Sequence, residues 1–264
     1  MKTKKKVALV LSGGGALGCA HIGVIKVLRK YGIPVDIIVG TSMGGVVGAG
    51  MAVGLSTEDM IKFALKFRTI DFFDVNFNTS GLFSGKGVMK IINKFLPDIT
   101  IQSLNTTFAC VACDLYSEKE VVFTTGSIRD AVRATLSIPG VFVPFQKDDM
   151  LLVDGGMLNN LPEDVAMKLG ADVIISCDVL SGSKVNSVPK NAIDSFLSSI
   201  NLATKEMQKL KSVYSDICLK PDMDGLGQFS FADKKTLLAI RRGEEVAERH
   251  IAEIIKIIKQ KLST

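Results

Sequence analysis

Histidine is almost absent from the chain: His21 and His250 are the only two among 264 residues. Both fall within helical patterns, and neither lies in a loop after a strand. A serine–histidine–acid triad of the α/β-hydrolase kind therefore has no base here. Uninterrupted apolar runs of about 20 residues are also missing, so no membrane span is expected. The N-terminal apolar run is about half a dozen residues long and broken by glycines, too short for a secretory signal. The expectation is a cytoplasmic protein, peripheral at a membrane at most. A large charge excess is missing too. The formal charge of +5 suits an anionic surface but falls far below a nucleic-acid footprint, so no nucleic-acid partner is expected. Much of the excess lies in Lys2, Lys4, Lys5 and Lys6, which read as a solvated terminus. Nothing in the sequence specifies an oligomeric state.

Cysteine gives no framework either. Cys19, Cys110, Cys113, Cys177 and Cys218 are odd in number and sit in apolar surroundings, as buried thiols do. Cys110 and Cys113 form a C-x-x-C inside a strand pattern, where residues three apart face opposite sides. With no second pair, neither a zinc site nor a redox centre is expected. No metal and no cofactor is called for.

What the chain does have is a globular composition, 47% apolar and 22% charged. Short β-branched runs mark strands at Lys6–Leu11, Asp36–Gly40, Thr107–Asp114, Lys119–Thr125, Met150–Gly155, Asp172–Val179 and Asp216–Pro221. Helical patterns separate several of them. One follows the first glycine loop and stops at Gly32. Another runs from an N-cap at Ser127 to the break at Pro139. A third has Pro162 early and Gly170 at its end. The segment from Asp233 to Leu262 reads as one long amphipathic helix, or two broken near Gly243. Alternating strands and helices predict an α/β fold with a largely parallel sheet covered on both faces. Lys119–Thr125 follows Thr107–Asp114 closely enough to form a hairpin, which makes the sheet mixed.

Three short motifs carry the chemistry. Ser12-Gly13-Gly14-Gly15-Ala16-Leu17-Gly18 follows the first strand and opens a helix. Gly13, Gly15 and Gly18 match the dinucleotide fingerprint, but that reading needs an acid at the end of the next strand. Asp36 stands at its beginning instead, and no Gly-Lys-Ser/Thr follows for a phosphate loop. The second strand ends in Gly40-Thr41-Ser42-Met43-Gly44, a G-x-S-x-G at a strand-to-helix turn that leaves a serine hydroxyl exposed. A serine needs a base. Asp154, closing an apolar strand before Gly155-Gly156, is the candidate, since the ends of parallel strands gather along one edge.

These blocks, with Ala134-Thr135-Leu136-Ser137-Ile138-Pro139 between the second and the last, occur in an order and at separations that resemble the patatin-like phospholipases, specifically the bacterial stand-alone form. The similarity runs from Val7 to about Asp178. It implies a three-layer α/β/α sandwich around a mostly parallel, mixed sheet. It implies one acyl-hydrolase domain over 1–264, with its catalytic blocks within 7–178 and a C-terminal helical segment over 233–262. It implies lipid acyl-ester hydrolysis by a dyad, Ser42 as nucleophile and Asp154 as base, with an oxyanion hole drawn from Gly13, Gly14, Gly15 and Met43. Many members carry Arg or Lys where Leu17 stands, which bears on preference for a phospholipid head group. The expected partner is a lipid or acyl-ester substrate. Acyl transfer to an alcohol would use the same residues, and a non-catalytic nucleotide-binding protein is the other reading. Phe63–Leu96, with Phe72, Phe73, Phe77 and Phe83, reads as core with loops residue by residue but could as a group form a lid or pocket wall, and the C-terminal helix reads as packed on the sheet with a solvated outer face, a membrane surface being the alternative.

Overall fold

A computed structural model describes residues 5–66, 83–182, 192–211, 213–228 and 230–262. Phe72, Phe73 and Phe77 fall outside them.

Among the described residues, eight strands form one sheet: β1 (Val7–Leu11), β2 (Ile37–Thr41), β3 (Thr107–Asp114), β4 (Lys119–Phe123), β5 (Phe145–Lys147), β6 (Met150–Asp154), β7 (Val173–Cys177) and β8 (Ile217–Leu219). Their spatial order is β5-β6-β3-β2-β1-β7-β8, with β4 also paired to β3. The five strands from β3 to β8 along this order are parallel, while β4, β5 and β6 join antiparallel. The hairpin expected after Thr107–Asp114 is present as β3–β4. Strand β5, a three-residue segment without an apolar run, carries no sequence signal.

The helices are α1 (Ala20–Lys30), α2 (Met43–Ala52), α3 (Thr57–Lys66), α4 (Lys86–Phe95), α5 (Ile128–Thr135), α6 (Glu163–Lys168), α7 (Ala192–Leu210) and α8 (Asp233–Leu262). Strand β1 is buried throughout, because both its faces are covered. Val7, Leu9 and Leu11 point into the larger core with α1, α2, α5 and α8, whereas Ala8 and Val10 meet Val165 and Ala166 of α6 on the other side. That period of two against two helical layers is the physical content of the α/β/α sandwich.

Helix α8 is continuous through Gly243. The glycine serves packing instead of a break: a Cβ there would stand within bonding distance of the Ala20 carbonyl oxygen, so α1 and α8 touch backbone to backbone. Lys26–Glu244 (2.9 Å) and Lys30–Glu248 (2.7 Å) flank the contact. The apolar stripe of α8, including Ala239, Val246, Ile254 and Ile258, is buried in the core. Of the two readings of this helix, packing in the fold with a solvated outer face is the one its buried apolar stripe supports.

Candidate active site

Chain direction changes abruptly at Ser42. Strand β2 ends at Thr41, α2 begins at Met43, and Ser42 between them has φ 53° and ψ −127°. A non-glycine residue in that region is strained by roughly 1–3 kcal/mol, a cost that surrounding contacts must hold in place. They do so from three sides. The Ser42 N–H donates to Thr135 Oγ1 (2.7 Å), and that hydroxyl donates to the Val111 carbonyl. Thr41 Oγ1 donates to the Asn159 carbonyl (2.8 Å). Gly44 lets the turn press against β1, where a Cβ would come within 2.2 Å of the Leu11 carbonyl oxygen.

Asp154 arrives from the opposite direction to the one expected. The sequence argument placed it at the end of a parallel strand, but β6 is antiparallel to β3. The two residues still meet because β3 is longer than β2. Thr41 pairs with Val111, and β3 continues to Asp114; β6 runs back down that extension and stops with Asp154 opposite Ala112, one residue beyond Val111. The Asp154 N–H donates to the Ser137 carbonyl (3.0 Å), and the carboxylate accepts the Gly156 N–H (2.8 Å), with Ser42 lining the same cavity. Ser42 is 5% exposed and Asp154 7%. Burial penalises the charged carboxylate and pushes its pKa up to about 6, although Ser42 and the Gly156 N–H oppose the shift.

The glycine loop crosses above this pair. Its anchors are explicit: Ser12 N–H to the Cys177 carbonyl (3.0 Å), Gly13 N–H to the Asn160 carbonyl (3.1 Å) and Ala16 N–H to the Gln228 carbonyl (2.6 Å). His21, fully buried, donates through Nε2 to the Ser12 carbonyl (2.9 Å), and burial lowers its pKa to about 4. It is a neutral prop beneath the loop. The N–H groups of Gly14, Gly15 and Met43 donate to no described residue. Gly13 differs from them, since its N–H is already committed to Asn160. His250 lies on α8 with Nδ1 turned to the Val246 carbonyl (2.8 Å), away from this chemistry.

Two cavities adjoin the elbow. One, of about 510 Å³, is lined by Gly14, Gly15, Ser42 and Asp154 with Asn160 and residues of α7. The other, of about 380 Å³ and almost wholly apolar, lies behind α2 between Met43, Val46, Val47, Met60, Phe63 and Phe95. The Phe63 and Phe95 rings stack with centroids 3.9 Å apart. Part of the phenylalanine-rich stretch thus does form a pocket wall.

Other sequence-stretch readings find plain explanations. Asp36 accepts the Val7 N–H (3.0 Å) at the start of β2, at the far edge from the glycine loop, and so is not placed to hold a ribose. The cysteines are free, with Cys110 and Cys113 thiols directed to the Ala131 and Gly155 carbonyls. Among the described residues, no group of three His, Cys, Asp or Glu side chains could hold a metal ion.

Sequence reasoning missed four contributors. Thr135 and Ser137 lie in a block recognised for its pattern but given no task. Asn160, four residues past Gly156 of the Asp-Gly-Gly turn, gave no signal of its own. Helix α7 was not read at all, although Leu197, Asn201, Thr204 and Gln208 repeat at helical spacing.

A serine on a strand-to-helix elbow, a buried carboxylate lining the same cavity and a glycine loop beside them, on an α/β/α sandwich, point to a narrow class. A family model described as Patatin-like phospholipase matches residues 9–167. The chain belongs to this family. It is 38% identical over 190 residues to patatin-like phospholipase domain-containing protein 7 of Rattus norvegicus, covering 67% of this chain and 14% of that protein. An uncharacterised NTE family protein of Mycobacterium tuberculosis is 36% identical over 165 residues, covering 61% of this chain and 28% of that protein. The chain thus spans only about a seventh of the first of these relatives. In fold it is similar to VipD from Legionella pneumophila, with a TM-score of 0.57 at 13% identity over 95% of this chain and 67% of that one. The type III effector ExoU gives 0.50 at 12% identity over 95% and 53%.

Proposed function

We propose that the protein hydrolyses acyl esters of lipids with Ser42 as nucleophile and Asp154 as the only general base. The observation that carries this reading is that these two buried side chains line one cavity, with Ser42 among the groups that stabilise the Asp154 carboxylate. Ser42 Oγ attacks the ester carbonyl while its proton passes to Asp154. The oxyanion forms beneath the uncommitted N–H groups of Gly14, Gly15 and Met43, each such donor being worth roughly 3–4 kcal/mol in the transition state. Asp154 returns the proton to the departing alcohol; water then attacks the acyl-serine while giving a proton to Asp154, and Asp154 passes that proton to Ser42 Oγ as the acid departs. A carboxylate with a pKa near 6 is a better base at neutral pH than one near 4, so the same burial that costs stability serves the proton transfer. The apolar cavity behind α2 suits the acyl chain.

A lipid surface is the natural source of such a substrate. Phe196, Leu202, Met207 and Leu210 are exposed on α7, the helix that also lines the cavity. Co-sedimentation with anionic vesicles, reduced in L202D and L210D, is the expected result.

A fluorophosphonate probe tests the nucleophile. Labelling within minutes that Ser42→Ala abolishes is expected; labelling that survives the substitution would refute the assignment. Acyl transfer to an added alcohol would use the same residues and is separated from hydrolysis by product analysis.

A further inference from the structure

The lining of the larger cavity mixes apolar side chains, among them Ile138, Leu180, Leu197 and Ile200, with the uncharged polar ones of Asn160, Asn201, Thr204 and Gln228. Asn160 is 6% exposed, and its amide nitrogen has no partner among the described residues. Its position is tight. A Cβ on Gly13 would stand 2.5 Å from Asn160 Oδ1 and 3.1 Å from Ser42 Cβ, so the amide lies directly beside the elbow serine. Gly13 must be glycine for the two to share that space. Opposite, on α7 and the segment before α8, Asn201 Nδ2 donates to Gln228 Oε1 (2.6 Å). That bond leaves one acceptor, Asn201 Oδ1, and the Gln228 amide hydrogens unused. Thr204 Oγ1 donates to the Gly156 carbonyl (3.1 Å) and keeps its acceptor lone pairs.

Charge is as informative as polarity. Among the described residues lining this cavity, Asp154 is the single ionisable group. Leu17 of the glycine loop is 1% exposed and packs in the core, so the loop brings no cation. Arg242 is turned to the Asp224 carbonyl (2.6 Å). A phosphate held here would meet a carboxylate at close range with no described positive partner, which is unfavourable in a water-poor site. Alcohol hydroxyls meet the opposite situation. Each both donates and accepts, and the wall offers donors at Asn160 and Gln228 with acceptors at Asn201 and Thr204.

We infer that the alcohol half of the substrate is a neutral polyhydroxy alcohol, its free hydroxyls bound by Asn160, Asn201 and Gln228. This inference rests on the proposed ester hydrolysis and names its substrate class as uncharged acylglycerol-type esters.

The test compares three probes with the same acyl chain, each below its aggregation limit: 1-decanoylglycerol, decanoyl lysophosphatidic acid and p-nitrophenyl decanoate. The expected kcat/KM is at least tenfold higher for the glycerol ester than for the lysophosphatidic acid. Asn201→Leu and Gln228→Met should each lower the ratio of glycerol ester to p-nitrophenyl ester by about tenfold, mainly through KM, because the p-nitrophenyl group has no aliphatic hydroxyl to bind. Taking that ratio within one variant makes the result independent of how much of it folds. Faster turnover of the lysophosphatidic acid, or ratios unchanged in both variants, would overturn the inference while leaving ester hydrolysis intact. No turnover of any of the three would overturn both.

Discussion

Thr135 Oγ1 accepts the main-chain N–H of Ser42 at 2.7 Å and donates its own hydroxyl hydrogen bond to the Val111 carbonyl. One hydroxyl thereby ties the strained elbow to β3. Thr135→Val keeps the shape and deletes both bonds, leaving a buried N–H unpaired at a cost of about 1–3 kcal/mol. Thermal unfolding should reveal that loss, and turnover of p-nitrophenyl esters should fall at least tenfold as the serine loses its fixed direction. Thr135→Ser should restore most of both. A valine variant with unaltered rate and stability would remove Thr135 from this role.

The acid's environment couples activity to pH. Activity requires ionised Asp154, so kcat/KM should rise with pH through about 6, in proportion to loss of one proton. With His21 held neutral by burial down to about pH 4, no histidine should shape that limb. A profile unchanged by Asp154→Glu would argue against the assignment.

Stability moves the other way. The folded carboxyl titrates near 6 against the ordinary 3.8, so between those values the native state keeps a proton that the unfolded chain has released. The stability this proton provides is complete below about pH 3.8 and is lost as pH rises through 6, amounting to about 3 kcal/mol. Asp154→Asn escapes this titration. Denaturant unfolding should find the variant gaining about 2–3 kcal/mol on wild type between pH 4 and pH 8, while its ester turnover drops by orders of magnitude. An equal difference at both pH values would contradict the burial argument.

His21 props the glycine loop without touching the reacting atoms. His21→Phe leaves the Ser12 carbonyl without its partner inside the core. The expected loss is about 1–3 kcal/mol in unfolding free energy, with reduced kcat and little change in KM, since the loop's donors act on the transition state. Added imidazole should not restore the rate, which a missing catalytic base could allow.

Chain-length preference reports on the apolar cavity. Each buried methylene contributes about 0.8 kcal/mol, roughly fourfold in kcat/KM. Decanoate should exceed butyrate as a p-nitrophenyl ester, and Val47→Phe or Ala64→Leu, which fill the cavity, should cut the ratio of the two about tenfold. Retention of the full preference in both would place the acyl chain elsewhere.

Much of this was open to reading along the chain. β-branched runs ending in glycine give strands that feed turns; Ser127 caps α5 through the Asp130 N–H, as its residue type requires, and Gly170 ends α6 at φ +86°. Local sterics and backbone hydrogen bonding govern these choices, and both act over a few residues. The scarcity of histidine alone directed attention to Asp154. What lay beyond reach was set by long-range pairing. The overhang of β3 past β2 decides that an antiparallel β6 still delivers Asp154 to Ser42. The backbone contact between α1 and α8 converts Gly243 from an apparent helix breaker into a packing residue. The amide wall assembles from Asn160, Asn201 and Gln228, which no local pattern connects. Propensity and turn chemistry are properties of neighbours in sequence, whereas a cavity's polarity and a carboxyl's pKa arise only from groups that folding brings together.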